Sequence, residues 1–184
     1  MKTNRAKALF ISRAAVIAAL YVVLTIVFAP FSFGAVQLRI SEALTILPFF
    51  TATAVPGLFV GCIIGNILGG AVLPDIIFGS LATLLGAIFT HHLRKSSPFL
   101  APIPPIVFNT LIIPFVLKFA YMDEMSLPLI AVFICAGELL SCGVLGLMLL
   151  FALKPHRQFI FGDDSNPFPS TRKFFDAVNW KRSR

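Results

Sequence analysis

Residues 36–45 read Val-Gln-Leu-Arg-Ile-Ser-Glu-Ala-Leu-Thr, which brings Gln37, Arg39, Ser41 and Glu42 together in an otherwise apolar chain. Asn66, Asp75, Asn109 and Glu138 stand farther along, inside or at the edge of hydrophobic runs. An ionised group costs several kcal/mol in hydrocarbon, so a lipid-embedded chain keeps it facing water, protein or a ligand. Carboxylates accept hydrogen bonds, and amides both donate and accept. That combination suits a small molecule rich in N–H donors. The adjacent N–H groups of a guanine-like edge match one carboxylate, and a cationic amine would be held by a second. Residues 36–45 therefore read as one wall and the lid of a small-molecule site, with Phe31 and Phe33 as a stacking surface.

Simpler roles stay open for several of these groups. Asp75 after Pro74, and Glu42 after Ser41, also suit helix starts through capping and the helix dipole. Asn66 and Asn109 also suit hydrogen bonds between helices. Glu138, in Ala-Gly-Glu-Leu-Leu, is a mid-span carboxylate that needs a partner or a proton. His91 and His92 stand beside Arg94 at a helix end and read as surface groups.

The elements that must position these groups follow from composition. Of 184 residues, 58% are hydrophobic and 12% charged, with mean hydropathy +0.91. Soluble domains carry roughly 25% charged residues, so the chain is expected to be an all-α integral membrane protein. Its net charge of +7 comes from bases that flank apolar runs, a membrane-topology signal and no sign of nucleic-acid binding. Cys62, Cys135 and Cys142 lie inside apolar segments without metal-like spacing and read as small core residues. The basic start lacks a small-residue cleavage site, so the first apolar run reads as a retained helix.

Helix 1 is expected over residues 8–29, stopping at Pro30, with small-residue pairs Ala14/Ala18 and Ala15/Ala19 that let a helix approach closely. Internal packing and partner docking both fit that spacing. A loop follows over residues 31–40, with Gly34 as its flexible point. Residues 41–68 form either one helix or two short ones broken at Pro56-Gly57. Further helices are expected from Asp75 to the His91–Lys95 region, over residues 106–119, and over residues 127–153, joined by loops at 69–74 and 96–105 and an acidic turn at 121–126. One span over 41–68 gives five helices and puts Arg94 and Lys95 opposite the basic N-terminus. A break gives a six-transmembrane-helix bundle with both termini cytoplasmic, leaving only Arg39 and Lys118 of the 15 Lys and Arg residues outside. Six is the better reading. It divides the chain into a membrane domain, 1–153, and a basic, aromatic cytoplasmic tail, 154–184. Residues 170–180 of that tail suit a membrane surface or a partner. In this arrangement Glu42, Asn66 and Asp75 meet at the outer face. Asn109 lies ~13 Å and Glu138 ~16 Å from the outer helix ends at about 1.5 Å per residue.

The ordered set formed by residues 36–45, Pro56-Gly-Leu-Phe-Val-Gly-Cys-Ile-Ile-Gly-Asn66, Asp75-Ile-Ile-Phe-Gly-Ser-Leu-Ala-Thr83, Asn109 and Gly137-Glu138 resembles the QueT family over residues 8–153. The resemblance implies a substrate-binding S component of an energy-coupling-factor (ECF) transporter in a prokaryotic plasma membrane. It implies uptake of a queuosine precursor, a 7-deazaguanine such as the aminomethyl form, at an outer site closed by the loop between helices 1 and 2. Substrate contacts would fall on Gln37, Arg39, Glu42, Asn66, Asp75, Asn109 and Glu138. The face carrying Ala14, Ala15, Ala18 and Ala19 would dock a transmembrane coupling protein driven by two ATPase subunits. No Gly-x-x-x-x-Gly-Lys-Ser/Thr phosphate loop is present, so ATP hydrolysis by that device is excluded for this chain. The alternative is a stand-alone proton-coupled carrier, with Glu138 or Glu42 as the coupling acid. An enzyme is not expected: no His–acid pairing or metal spacing supports one, and no metal or cofactor is implied.

Overall fold

The computed structural model describes residues 2–32, 38–122 and 124–161, and every element among them is helical. Gln37, Phe33, Gly34, Asp123 and the aromatic stretch 170–180 lie outside the described residues. The principal helices are α1 (Lys2–Val27), α2 (Ile40–Phe49), α3 (Ala54–Leu68), α4 (Leu73–His92), α5 (Ile103–Ala120), α6 (Leu127–Glu138), α7 (Gly146–Leu153) and α8 (Arg157–Phe161). A π-helical segment, Leu139–Leu145, joins α6 to α7 without a break. Four stretches are long and apolar enough to cross a membrane: Lys7–Val27, Leu73–Lys95, Pro98–Ala120 and Leu127–His156. Two shorter apolar helices, Ile40–Phe49 and Ala54–Leu68, complete the set.

The run 41–68 is interrupted, but at residues 50–53 and not at Pro56-Gly57. Pro48 has no N–H to continue the ladder. Two residues beyond the end of α2, the Thr51 hydroxyl oxygen accepts the Thr53 N–H at 3.3 Å and lies 2.9 Å from the Thr53 hydroxyl. Such local bonds compete with helical ones. Pro56 sits in the first turn of α3, where its missing N–H costs nothing. The same logic starts α5 at Ile103, ahead of the expected 106, because Pro104 and Pro105 fall in its first turn.

Helix α2 is a 3₁₀-helix of ten residues, long for its kind. At about 2.0 Å per residue it reaches about 20 Å, where an α-helix of equal length reaches about 15 Å. Ser41 through Pro48 are all buried, and α2 packs against α1, α3, α4, α7 and the π-helical segment. The stretch expected to be a wall and lid continues as the central rod of the bundle.

The packing of α1 on α3 explains why α2 must run back through the bundle. A Cβ on Gly57 would stand 2.7 Å from Ala14 O. One on Gly61 would stand 2.9 Å from Tyr21 Cβ, and one on Gly65 3.2 Å from Thr25 Oγ1. Rising numbers on α1 meet rising numbers on α3, so the two helices are parallel and the chain between them returns. Ala14 and Ala18 are thus used inside the chain, whereas Ala15 and Ala19 are exposed.

At the end where α2 stops, His91 is buried and its Nδ1 donates to Pro48 O at 2.7 Å. This carbonyl at the α2 terminus needs a partner, which corrects the surface placement of His91. His92 is exposed. Beneath the same end, Phe161 of α8 stacks on Phe50, with centroids 5.4 Å apart, and Arg13 donates to Phe161 O at 3.0 Å.

Gly61→Val should overpack the α1–α3 contact and lower stability by about 1–3 kcal/mol. Ala15→Leu, on the exposed face, should leave the melting temperature of the isolated chain unchanged. Thermal unfolding of both variants checks the pair.

Candidate functional site

Arg39, Glu42, Asn66, Asp75, Asn109 and Glu138 come from five helical elements and the loop before α2, and all six are buried. The structure brings them together in two connected tiers.

The first tier lies where α3 turns into α4. Arg39 Nη2 is 3.4 Å from Asp75 Oδ2, with the two side chains 6% and 1% exposed. Tyr121, just past the end of α5, donates its hydroxyl proton to the same Asp75 oxygen at 3.0 Å and accepts the Val72 N–H at 3.3 Å. Burial and the neighbouring Asp75 carboxylate push the Tyr121 phenol above its ordinary value, which keeps it a donor. Gly79 leaves space beside this tier: a Cβ there would stand 3.1 Å from Asp75 Oδ1 and 3.3 Å from Asn66 Nδ2. Asn66 Nδ2 also lies 3.6 Å from Cys62 Sγ.

The second tier is built around two carboxylates. Tyr21 on α1 donates to Glu42 Oε1 at 2.5 Å, and Thr83 Oγ1 on α4 lies 3.5 Å from the same oxygen. Asn109 on α5 donates from Nδ2 to Glu138 Oε1 at 2.9 Å. Cys142 in the π-helical segment donates its thiol proton to Glu138 Oε2 at 3.0 Å. One ligand-capable atom from each of Glu42, Glu138 and Cys142 lies within 4.8 Å of the others. The π-helical segment begins directly after Glu138, and Glu138 and Cys142, four residues apart, share the side that faces α2. Thr45 supports the junction, donating to Glu42 O at 2.6 Å and lying 3.3 Å from Cys142 Sγ.

Buried polar atoms in native structures are nearly always paired. Among the described residues Glu42 Oε2, Asp75 Oδ1 and Asn109 Oδ1 are buried acceptors without a hydrogen-bond donor. The site therefore contains more acceptor capacity than its own side chains satisfy. A separate cavity of about 450 Å³ lies between α4 and α5, lined by Pro74, Phe78, Leu111, Phe115 and Phe119 among others. Its lining is apolar and its phenylalanines are exposed on the lipid-facing side, so it lacks the groups to orient a polar ligand.

Sequence reasoning missed Tyr21, Thr83, Tyr121 and Cys142. A signal existed for the tyrosines: the chain uses Phe 20 times and Tyr twice, and both Tyr hydroxyls serve carboxylates of this site. Cys142, read as a small core residue, is buried in the core and also bonds a carboxylate.

A bundle of apolar helices enclosing acids and amides, with several helices long enough to cross a bilayer, defines a multi-pass membrane protein. The family model described as "QueT transporter" matches residues 11–155, and the chain belongs to this family of transporters, which are not enzymes. A relative named "Queuosine precursor transporter QueT", from Lactococcus lactis subsp. cremoris (strain MG1363), is 38% identical over 73 residues. That match covers 39% of this chain and 43% of the relative, so it spans less than half of either. No solved structure matches the chain.

Breaking the buried Arg39–Asp75 pair from one side should be costly. Arg39→Met should destabilise by about 3–5 kcal/mol, because it strands a buried carboxylate. Adding Asp75→Asn to Arg39→Met should recover part of the loss, as read by denaturant unfolding of the single and double variants.

Proposed function

We propose that this chain is the substrate-binding membrane subunit of an ECF-type transporter, and that its ligand is a 7-deazaguanine queuosine precursor such as the aminomethyl form. The observation that carries the reading is the set of unsatisfied buried acceptors on Glu42, Asp75 and Asn109, beside Glu138. A deazaguanine supplies adjacent N–H donors for one carboxylate, and its aminomethyl arm supplies a cation for another. The name of the Lactococcus relative points to the same class of cargo.

In this reading the chain crosses a prokaryotic cell membrane six times, with both termini in the cytoplasm. Arg39, Asp75 and Tyr121 then form the outer tier, and Glu42 and Glu138 lie beneath them. Gln37, outside the described residues, is kept as a further proposed substrate contact. Energy comes from partners, since the chain carries no phosphate loop. The exposed face of α1 with Ala15 and Ala19 is the docking surface for the coupling protein. Only 22% of the α1 span is buried within this chain, against 39% to 44% for the other three long spans, so α1 has the most surface left for a neighbour.

Titrating the purified chain with aminomethyl-deazaguanine, its nitrile analogue and guanine tests the ligand class. The aminomethyl form should bind most tightly, and Glu138→Gln should weaken it at least tenfold, or about 1.4 kcal/mol, without unfolding the protein. Unchanged affinity would remove Glu138 from the site. Ala15→Leu should impair uptake by the assembled complex and spare binding by the isolated chain. Uptake by this chain alone under a proton gradient would overturn the ECF reading in favour of a self-sufficient carrier.

A further inference from the structure

The second tier holds a donor set that an N–H-rich ligand does not require. Cys142 offers sulfur, Glu42 and Glu138 offer carboxylate oxygens, and the three ligand atoms lie within 4.8 Å of one another. Glu42 supplies an independent observation. Its side chain is fully buried, and its Oε2 has no donor among the described residues. The three groups come from α2, α6 and the π-helical segment, so the site is formed by the fold and not by one stretch of sequence.

We propose that Glu42, Glu138 and Cys142 form a three-ligand site, open at its fourth position, for a borderline-soft divalent cation of the zinc and cadmium class in the substrate-free protein. The donor set decides the class of ion. Thiolate selects zinc-like ions over magnesium or calcium, which favour all-oxygen shells, and three mixed S and O donors leave the fourth tetrahedral position to water. Metal–sulfur bonds of about 2.3 Å and metal–oxygen bonds of about 2.0–2.2 Å place the donors roughly 3.5 Å apart, so a cluster whose atoms lie within 4.8 Å of one another contracts by little more than about 1 Å. Cys142 and Glu138 already stand 3.0 Å apart. On coordination the Cys142 thiol proton leaves to solvent, and the metal takes its place between sulfur and carboxylate. The ion shares Glu42 and Glu138 with the proposed ligand, so the two exclude one another. The metal site itself stands on the geometry and not on the identity of that ligand.

Cadmium chloride titrated into the purified full-length chain, without any purine, gives the direct test. One equivalent should produce thiolate-to-metal charge-transfer absorption in the ultraviolet. Cys142→Ser should lose that absorption while keeping its melting temperature, and Cys62→Ser and Cys135→Ser should retain it. Glu138→Gln should weaken cadmium binding at least tenfold. No absorption in the unsubstituted chain, or absorption that survives Cys142→Ser, overturns the proposal, and the first outcome needs no variant to fold. Deazaguanine titrated in parallel separates the two readings: ligand binding without the cadmium signal overturns the metal site alone.

Discussion

Inside hydrocarbon a carboxylate has no water to fall back on, and the architecture of this bundle follows from where it puts Glu42. That residue is fully buried on the most enclosed helix of the structure. Four helices bring polar atoms near it: Tyr21 from α1, Thr83 from α4, and the Glu138–Asn109 pair from α6 and α5. Hydrogen bonds to a charged or shared-proton oxygen are worth more in such surroundings than at a surface. Leaving one unmade costs more for the same reason. The polar side chains of the other helices are therefore fixed in depth and rotation by one acidic residue on α2.

Two departures from ordinary α-helix meet at this point. Helix α2 is wound tight as a 3₁₀-helix, and the segment after Glu138 is wound wide as a π-helix. They touch through Cys142, whose sulfur lies 3.4 Å from Glu42 O, and through Thr45. The tight winding lengthens a ten-residue segment, which lets a short helix reach from the Arg39 end to the His91 contact at Pro48. Cys142 and Glu138, four residues apart, stand on one side of the wide segment, toward α2.

Much of this was legible in the residue types, and the rest failed for identifiable reasons. Buried acids and amides in an apolar chain announce a site, because hydrocarbon tolerates them nowhere else. Arg39, Glu42, Asn66, Asp75, Asn109 and Glu138 could be named from that rule alone. Their pairings could not, since Arg39 and Asp75 are 36 residues apart and Asn109 and Glu138 are 29 apart. The winding of α2 was hidden because Ser41–Pro48 is buried all round, so no solvent-facing stripe marks whether it winds as an α- or a 3₁₀-helix. The break after α2 was placed at the more obvious Pro-Gly pair, whereas Pro48 and the Thr51 hydroxyl set it. Small-residue spacing on α1 was read without a partner in view, and the matching glycines of α3 settle the direction for Ala14 and Ala18.

That α1–α3 contact also reaches the site. The face of α1 that meets Gly57, Gly61 and Gly65 carries Ala14, Ala18, Tyr21 and Thr25 in turn. Tyr21 extends from this face to Glu42, and Thr25 donates to Ser41 Oγ at 2.9 Å, one residue before Glu42. The glycines let α1 come close enough for a tyrosine hydroxyl to reach the central helix, which a larger residue at 61 would prevent by pressing on Tyr21 Cβ. Close packing between two apolar helices thus sets the distance of a hydrogen bond to a buried acid. An adjacent face of the same helix is exposed at Ala15 and Ala19. A neighbour that shifted α1 from that side would move Tyr21 with it, and so act on Glu42 without touching the site.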